Sequence, residues 1–162
     1  MHPLEPTHLA AATVLFVQPS LKGRALRLLS GREYSRAELE RKLESHEEEP
    51  GALARVMDEL QAKGFISEQR VIDSVLHRRA ARLGTARIKH ELQGKGLDSQ
   101  AVAAALVGLQ ATEYERALAV WCKKFGAAPA DAQTAARQMR FLAARGFGSD
   151  AIRRVVKDPA ST

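Results

Sequence analysis

At 162 residues the chain has room for one ordinary domain or a short array of smaller units, and its 45% apolar content is enough to build a core. Few aromatics (5%) and a preponderance of Ala, Leu, Arg and Glu point to helix, while a formal charge of +6 selects an acidic partner: nucleic acid, an anionic membrane or an acidic protein face. The single cysteine, Cys122, excludes an internal disulfide framework and a cysteine-rich zinc site, and it fits a reducing compartment.

Residues 1–19 read as a flexible tail, briefly extended at Thr13–Val17. Leu9–Val17 is apolar, but no basic segment precedes it and it is too short to cross a bilayer, so the expectation is a cytoplasmic protein with no membrane partner. Leu21, Ala25, Leu28 and Leu29 then recur at helical spacing up to Ser30, with Gly31 as the stop. Ser35-Arg-Ala-Glu38 is a capping box that opens a second helix carrying Leu39 and Leu43 inward. Glu47–Glu49 with Pro50-Gly51 predicts a solvated acidic loop, and Leu53, Val56, Met57 and Leu60 predict a third helix ending at Gly64.

A second round opens at Ser67 with Val71, Ile72, Val75 and Leu76 on one face. It continues from Thr85 with Ile88 and Leu92 inward, then from Asp98 or Ser99 through Ala101–Leu109. A third opens at Thr112-Glu113 with Ala117, Leu118, Val120 and Trp121 apolar, resumes after Asp131 with Met139 and Leu142, and closes with a helix capped by Ser149.

The rounds repeat one another. Leu60–Phe65, Leu92–Leu97 and Leu142–Phe147 each end a helix with Leu, a basic residue, Gly and a large apolar residue. That is the pattern of a Schellman close, in which Gly takes positive φ and the residue after it packs back on the Leu. Thr112-Glu113 answers Ser67-Glu68, and Val120–Lys124 answers Val75–Arg79. The period of roughly 45–50 residues lies in the range of helical arrays. The prediction is all-α: three tandem three-helix repeats at 20–66, 67–111 and 112–158, elongated and curved, with residues 159–162 as a terminal tail.

Catalytic chemistry is not legible. His2, His8, His46, His77 and His90 stand in no metal or acid–base pattern, Cys122 beside Trp121 reads as a buried small hydrophobe, and Gly94-Lys95-Gly96 follows a helix rather than a strand, so it is not a phosphate loop. No cofactor or enzymatic activity is expected. The conspicuous feature is basic charge in the second and third units, against glutamates at 33, 38, 40, 44 and 47–49 that mark the first as the acidic one. Candidate partner-binding residues are Arg78, Arg79, Arg82, Arg87, Lys89 and Lys95, then Lys123, Lys124, Arg140, Arg145, Arg153 and Arg154. Helix pairs joined by short turns are compatible with DNA reading, although no aromatic stacking platform is evident.

Taken together, Tyr34–Leu43, Leu60–Ile66, Arg79 to Gly84 with Ile88–Leu97, and Arg145–Ile152 resemble the RecX family of regulatory proteins over about residues 20–157. One departure is Ser67-Glu68, where the family usually has an acidic pair. The resemblance implies three three-helix repeats and a monomeric protein that binds the recombinase RecA within the groove of its nucleoprotein filament. It would thereby inhibit ATP hydrolysis, strand exchange and coprotease activity, limiting recombination and the SOS response. It implies no catalytic residue or cofactor. A stand-alone module binding single- or double-stranded DNA is the alternative reading.

Overall fold

Helix-forming sequence between efficient stops dominates the computed structural model, which describes residues 17–158. Among these are nine α-helices: α1 (Leu21–Gly31), α2 (Arg36–Leu43), α3 (Ala52–Ala62), α4 (Glu68–Arg79), α5 (Thr85–Gly94), α6 (Ser99–Ala111), α7 (Glu113–Lys124), α8 (Ala132–Ala144) and α9 (Ser149–Lys157). A single 3₁₀ turn, Glu44–His46, follows α2, and the described residues contain no strand. Most of the extended segment expected at Thr13–Val17 lies outside them.

Five helices begin where a side-chain oxygen takes up an orphan amide, as the sequence predicts for such residues. Ser20, Ser67, Asp98 and Asp131 accept from the amides of Gly23, Arg70, Ala101 and Thr134. Ser35 completes the capping box with Glu38, each accepting the other's backbone N–H. Ser149 does not cap: the N-cap of α9 is Gly148, and Ser149 is its first helical residue. The acidic loop also does more than sit in solvent, since the Glu47 carboxylate accepts the Leu53 amide in the first turn of α3.

At the stops, Gly64, Gly96 and Gly146 all have positive φ. The six-residue Schellman bond closes at Phe65 N–H to Leu60 C=O and at Phe147 N–H to Leu142 C=O. At Gly96 the turn closes through shorter bonds, Lys95 to Leu92 and Gly96 to Gln93. α1 ends at Gly31 as expected, though without positive φ, whereas one expectation fails: Phe65 stays 46% exposed while its neighbour Ile66 is buried.

Each set of three helices closes its own core. Leu39, Leu43, Met57 and Leu60 centre the first; Ile72, Val75, Ile88 and Leu92 the second; Trp121, Leu142, Phe147 and Val155 the third. In the third, the Trp121 indole N–H donates to buried Gln138 (2.9 Å), so the single tryptophan is satisfied internally. Cys122, expected to be buried beside it, is exposed because its side of α7 faces outward.

The cores are joined by helix ends. The N-terminus of α5 is seated on the C-terminus of α8: Gly84 N–H donates to Arg145 C=O (2.8 Å) and Ala86 N–H to Gly146 C=O (3.3 Å). Likewise the start of α2 meets the end of α5, where the Ser35 hydroxyl donates to Lys95 C=O (2.7 Å) and Arg41 to Gly94 C=O (3.0 Å). Ser35 corresponds to Gly84 and Gly96 to Gly146, so the same contact is made twice, one repeat apart. Free carbonyls at the end of one helix thus meet donors at the start of another, backbone amides at the second junction and side chains at the first.

The closeness of the second junction leaves no room for a side chain. A Cβ at Gly84 would fall far inside van der Waals contact with the Gly146 backbone, which cannot move aside. Gly94, whose carbonyl belongs to the first junction, has open space where its Cβ would be. Gly84→Ala is expected to destabilise the protein by ~2 kcal/mol, in the range of overpacked cores. Gly94→Ala, in a helical position, should instead be neutral or stabilising by up to ~1 kcal/mol. Urea unfolding of the two variants checks the pair.

Candidate partner-binding surface

Two of the cations expected on a binding face are drawn into these junctions. Lys95 Nζ lies 2.8 Å from Glu38 Oε1, with both side chains only 12% exposed. Arg32 adds a second cation to the same carboxylate at 3.2 Å. Burial by itself would raise the Glu38 carboxyl, but Lys95, the Ser35 amide and Arg32 together outweigh it and hold it down at about 2. At the second junction Arg87 donates to Ala144 C=O (2.9 Å), and its stem lies where a Gly146 Cβ would be.

Beside that junction is a polar clamp built from Glu113 and Arg116 of α7. Glu113, 4% exposed, accepts the Thr85 amide (2.9 Å) and so caps α5 from a different helix, where Gly84 offers no side chain. Arg116, one turn further along α7, donates to the carbonyls of Ala80, Leu83 and Leu109 and to the Thr85 hydroxyl. Burial pushes its guanidinium below the ordinary value, against the opposing pull of Glu113. Only the repetition of Ser67-Glu68 as Thr112-Glu113 hinted at this, since Glu68 likewise accepts a backbone amide, that of Asp98.

The remaining candidates divide by environment. Arg79 pairs with Glu91 at 3.2 Å, Arg153 pairs with Asp150, and Arg82 bonds the Arg78 carbonyl. Arg154 stacks over Tyr114 with its guanidinium carbon 3.9 Å from the ring centroid. Lys124 and Arg145 converge on Phe141, at 5.6 and 4.7 Å, and Phe141 packs edge-to-face with Phe125. Both rings of this pair are half-buried. Arg78, Lys89, Lys123 and Arg140 are exposed and make no side-chain hydrogen bond or ion pair among the described residues.

The first set of helices is not acidic on balance. Residues 20–66 hold nine Lys and Arg against nine Asp and Glu, so the glutamates that stood out are matched. Arg36 bridges Glu40 and Asp58, and Lys22 and Lys63 share Glu59. Positive charge is nonetheless concentrated beyond residue 66, as the sequence indicates. Among the described residues no group of three or more His, Cys, Asp and Glu could hold a metal, and His46, His77 and His90 are exposed. No described helix is long and apolar enough to cross a membrane.

Comparison with known proteins matches the model of the RecX first three-helix domain to residues 22–60 and that of the third three-helix domain to residues 111–156. The chain is 54% identical over 140 residues to the regulatory protein RecX of Leptothrix cholodnii, covering 86% of this chain and 89% of the relative. It is 45% identical over 138 residues to that of Ralstonia nicotianae, covering 85% and 87%. The crystal structure of RecX from Lactobacillus salivarius superposes with a TM-score of 0.69 at 20% identity, covering 85% of this chain and 93% of that one, a likeness of fold.

The first junction titrates. Because the folded-state Glu38 carboxyl sits at about 2, below its unfolded value, the stability it contributes is complete above roughly pH 4.5 and is lost as pH falls towards 2. Lys95→Met should cost on the order of 2 kcal/mol at pH 7, less than breaking a fully buried pair. The gap to the wild type should narrow by pH 3, as read by urea unfolding at the two pH values.

Proposed function

The chain belongs to the RecX family of regulatory proteins, and from that membership we propose that it binds the recombinase RecA, chiefly as its nucleoprotein filament, and inhibits ATP hydrolysis, strand exchange and coprotease activity. It acts by occupancy rather than chemistry, and so regulates recombination and repair. The observation that carries the reading is the set of exposed cations without a partner among the described residues, Arg78, Lys89, Lys123 and Arg140, spread over the second and third helical sets. Such cations, held at fixed separations by the seated helix ends, suit a groove lined by acidic protein and DNA phosphate. In this proposal residues 20–66, 67–111 and 112–158 act as three units in the cytoplasm, with the protein as a monomer.

The twelve candidate cations do not contribute alike. Lys95 and Arg87 serve the junctions, so their role in binding is to keep the units in line. Arg78, Lys89, Lys123 and Arg140, with Arg82, Arg153 and Arg154 at the rim, carry the contact. A second reading, direct DNA binding without RecA, is favoured by the Phe125–Phe141 pair with Lys124 and Arg145, because an aromatic face flanked by cations is the elementary device for holding an unstacked base.

Purified protein is expected to inhibit the DNA-dependent ATPase of RecA at stoichiometric levels. Arg78→Glu with Lys89→Glu should weaken that inhibition about tenfold or more at unchanged helicity. Full inhibition by the double variant would remove this face from the contact, and no inhibition by the wild type would remove the function. Independently, titration of a labelled oligonucleotide without RecA should show an affinity that falls steeply with salt if the second reading holds. Phe141→Ala should then weaken it by about 1–3 kcal/mol.

A further inference from the structure

The first set of helices carries a cationic pocket that the charge count conceals. Between α1 and the end of α2 lies a cavity of about 270 Å³ lined by Arg24, Arg27, Lys42 and His46 together with Leu28 and Leu43. Carboxylates are plentiful in this part of the chain, yet none lines the cavity and most are engaged elsewhere, leaving Glu44, Glu48 and Glu49 exposed with no ion pair among the described residues. Glu33 pairs with Arg70, Glu38 with Lys95 and Arg32, Glu40 and Asp58 with Arg36, and Glu59 with Lys22 and Lys63. Glu47 is spent on the α3 amide. Arg27 and Lys42 are left with no side-chain hydrogen bond or ion pair among the described residues, and Arg24 bonds only the neutral amide of Gln18 (3.2 Å).

We propose that this pocket is a binding site for an acidic peptide segment bearing an aliphatic side chain among its carboxylates. Charge sets the first requirement: three basic side chains without acidic partners among the described residues converge on one opening. The leucines set the second, because an apolar surface between cations is best covered by a side chain with no charge of its own. Size sets the third. The cavity falls just below the roughly 300–1,000 Å³ of sites for small molecules and suits one or two side chains. A nucleic acid fits less well, since the lining holds no Phe, Tyr or Trp on which a base could stack and its one ring is the small imidazole of His46. Charge-assisted bonds from Arg24, Arg27 and Lys42 would fix the carboxylates, and Leu28 and Leu43 would receive the aliphatic group.

The site is separate from the cations beyond residue 66 on which the proposed filament contact rests, so its test does not involve RecA. Fluorescence anisotropy of a labelled decapeptide of Asp and Glu with one central Leu, titrated with the full chain, is expected to saturate. Arg27→Glu with Lys42→Glu should weaken binding about tenfold or more with circular dichroism unchanged. Should that variant lose helicity, Arg27→Ala with Lys42→Ala reads the same effect. Replacing the central Leu of the peptide by Gly should also weaken binding. Three results overturn the proposal: no saturable binding of the Leu peptide, equal binding by folded variant and wild type, or equal binding of the Leu and Gly peptides. A fourth does so as well, namely a variant that loses affinity for a single-stranded oligonucleotide while keeping it for the peptide.

Discussion

The seating of one helix's free amides on the next helix's free carbonyls is the contact on which the arrangement of this protein depends. At α5 and α8 it is made by backbone alone, Gly84 and Ala86 donating to Arg145 and Gly146. At α2 and α5 a serine hydroxyl and an arginine take the place of the amides. Either way, orphan groups that every helix carries at its ends are satisfied by a neighbouring repeat rather than by water. A contact of this kind tolerates little change in angle or separation. It therefore fixes how the three cores lie relative to one another far more tightly than a greasy interface would.

Around each seat the charged side chains have been recruited to hold it. Glu38 with Lys95 and Arg32 secures the first, while Glu113 and Arg116 secure the second by capping α5 and gathering the carbonyls at the end of α4. Buried or half-buried charge of this sort adds little net stability compared with an apolar packing of the same shape, but it penalises every misaligned arrangement. The consequence for function is a sorting of the basic residues. Lys95, Arg87 and Arg116 are bonded at the junctions, whereas Arg78, Lys89, Lys123 and Arg140 are exposed with no partner among the described residues. Net charge by itself conceals that division, and it equally conceals the cationic pocket in a segment whose formal charge is zero.

Much of this was legible in the sequence. Helical periodicity, the Ser35–Glu38 capping box, the three Leu-to-Gly helix ends and the recurrence of Thr112-Glu113 after Ser67-Glu68 were sufficient for nine helices in three rounds, because each is a local device with a local cause. Where a local rule was read too literally it failed. Ser149 has a capping side chain but follows Gly148, which already holds the cap position; Phe65 follows a Schellman glycine, yet Ile66 is the residue that reaches the core. Cys122 lies next to a buried Trp121 and is itself exposed, as adjacent helical residues point about 100° apart.

What the sequence by itself determined is therefore the helices, their stops, the repeat and the surplus of basic charge, all of which follow from backbone geometry and spacing within a few turns. Only the tertiary structure decided which charges are free. Lys95 and Lys123 are indistinguishable as letters, yet one is locked against Glu38 across 57 positions of chain and the other is exposed without a partner among the described residues. Arg116 drew no notice in the sequence and proves the most heavily bonded arginine of the second junction. The physical reason is that a cation's role is set by the carbonyls and carboxylates within about 3 Å of it. For Lys95 and Arg116 those come from the neighbouring repeat.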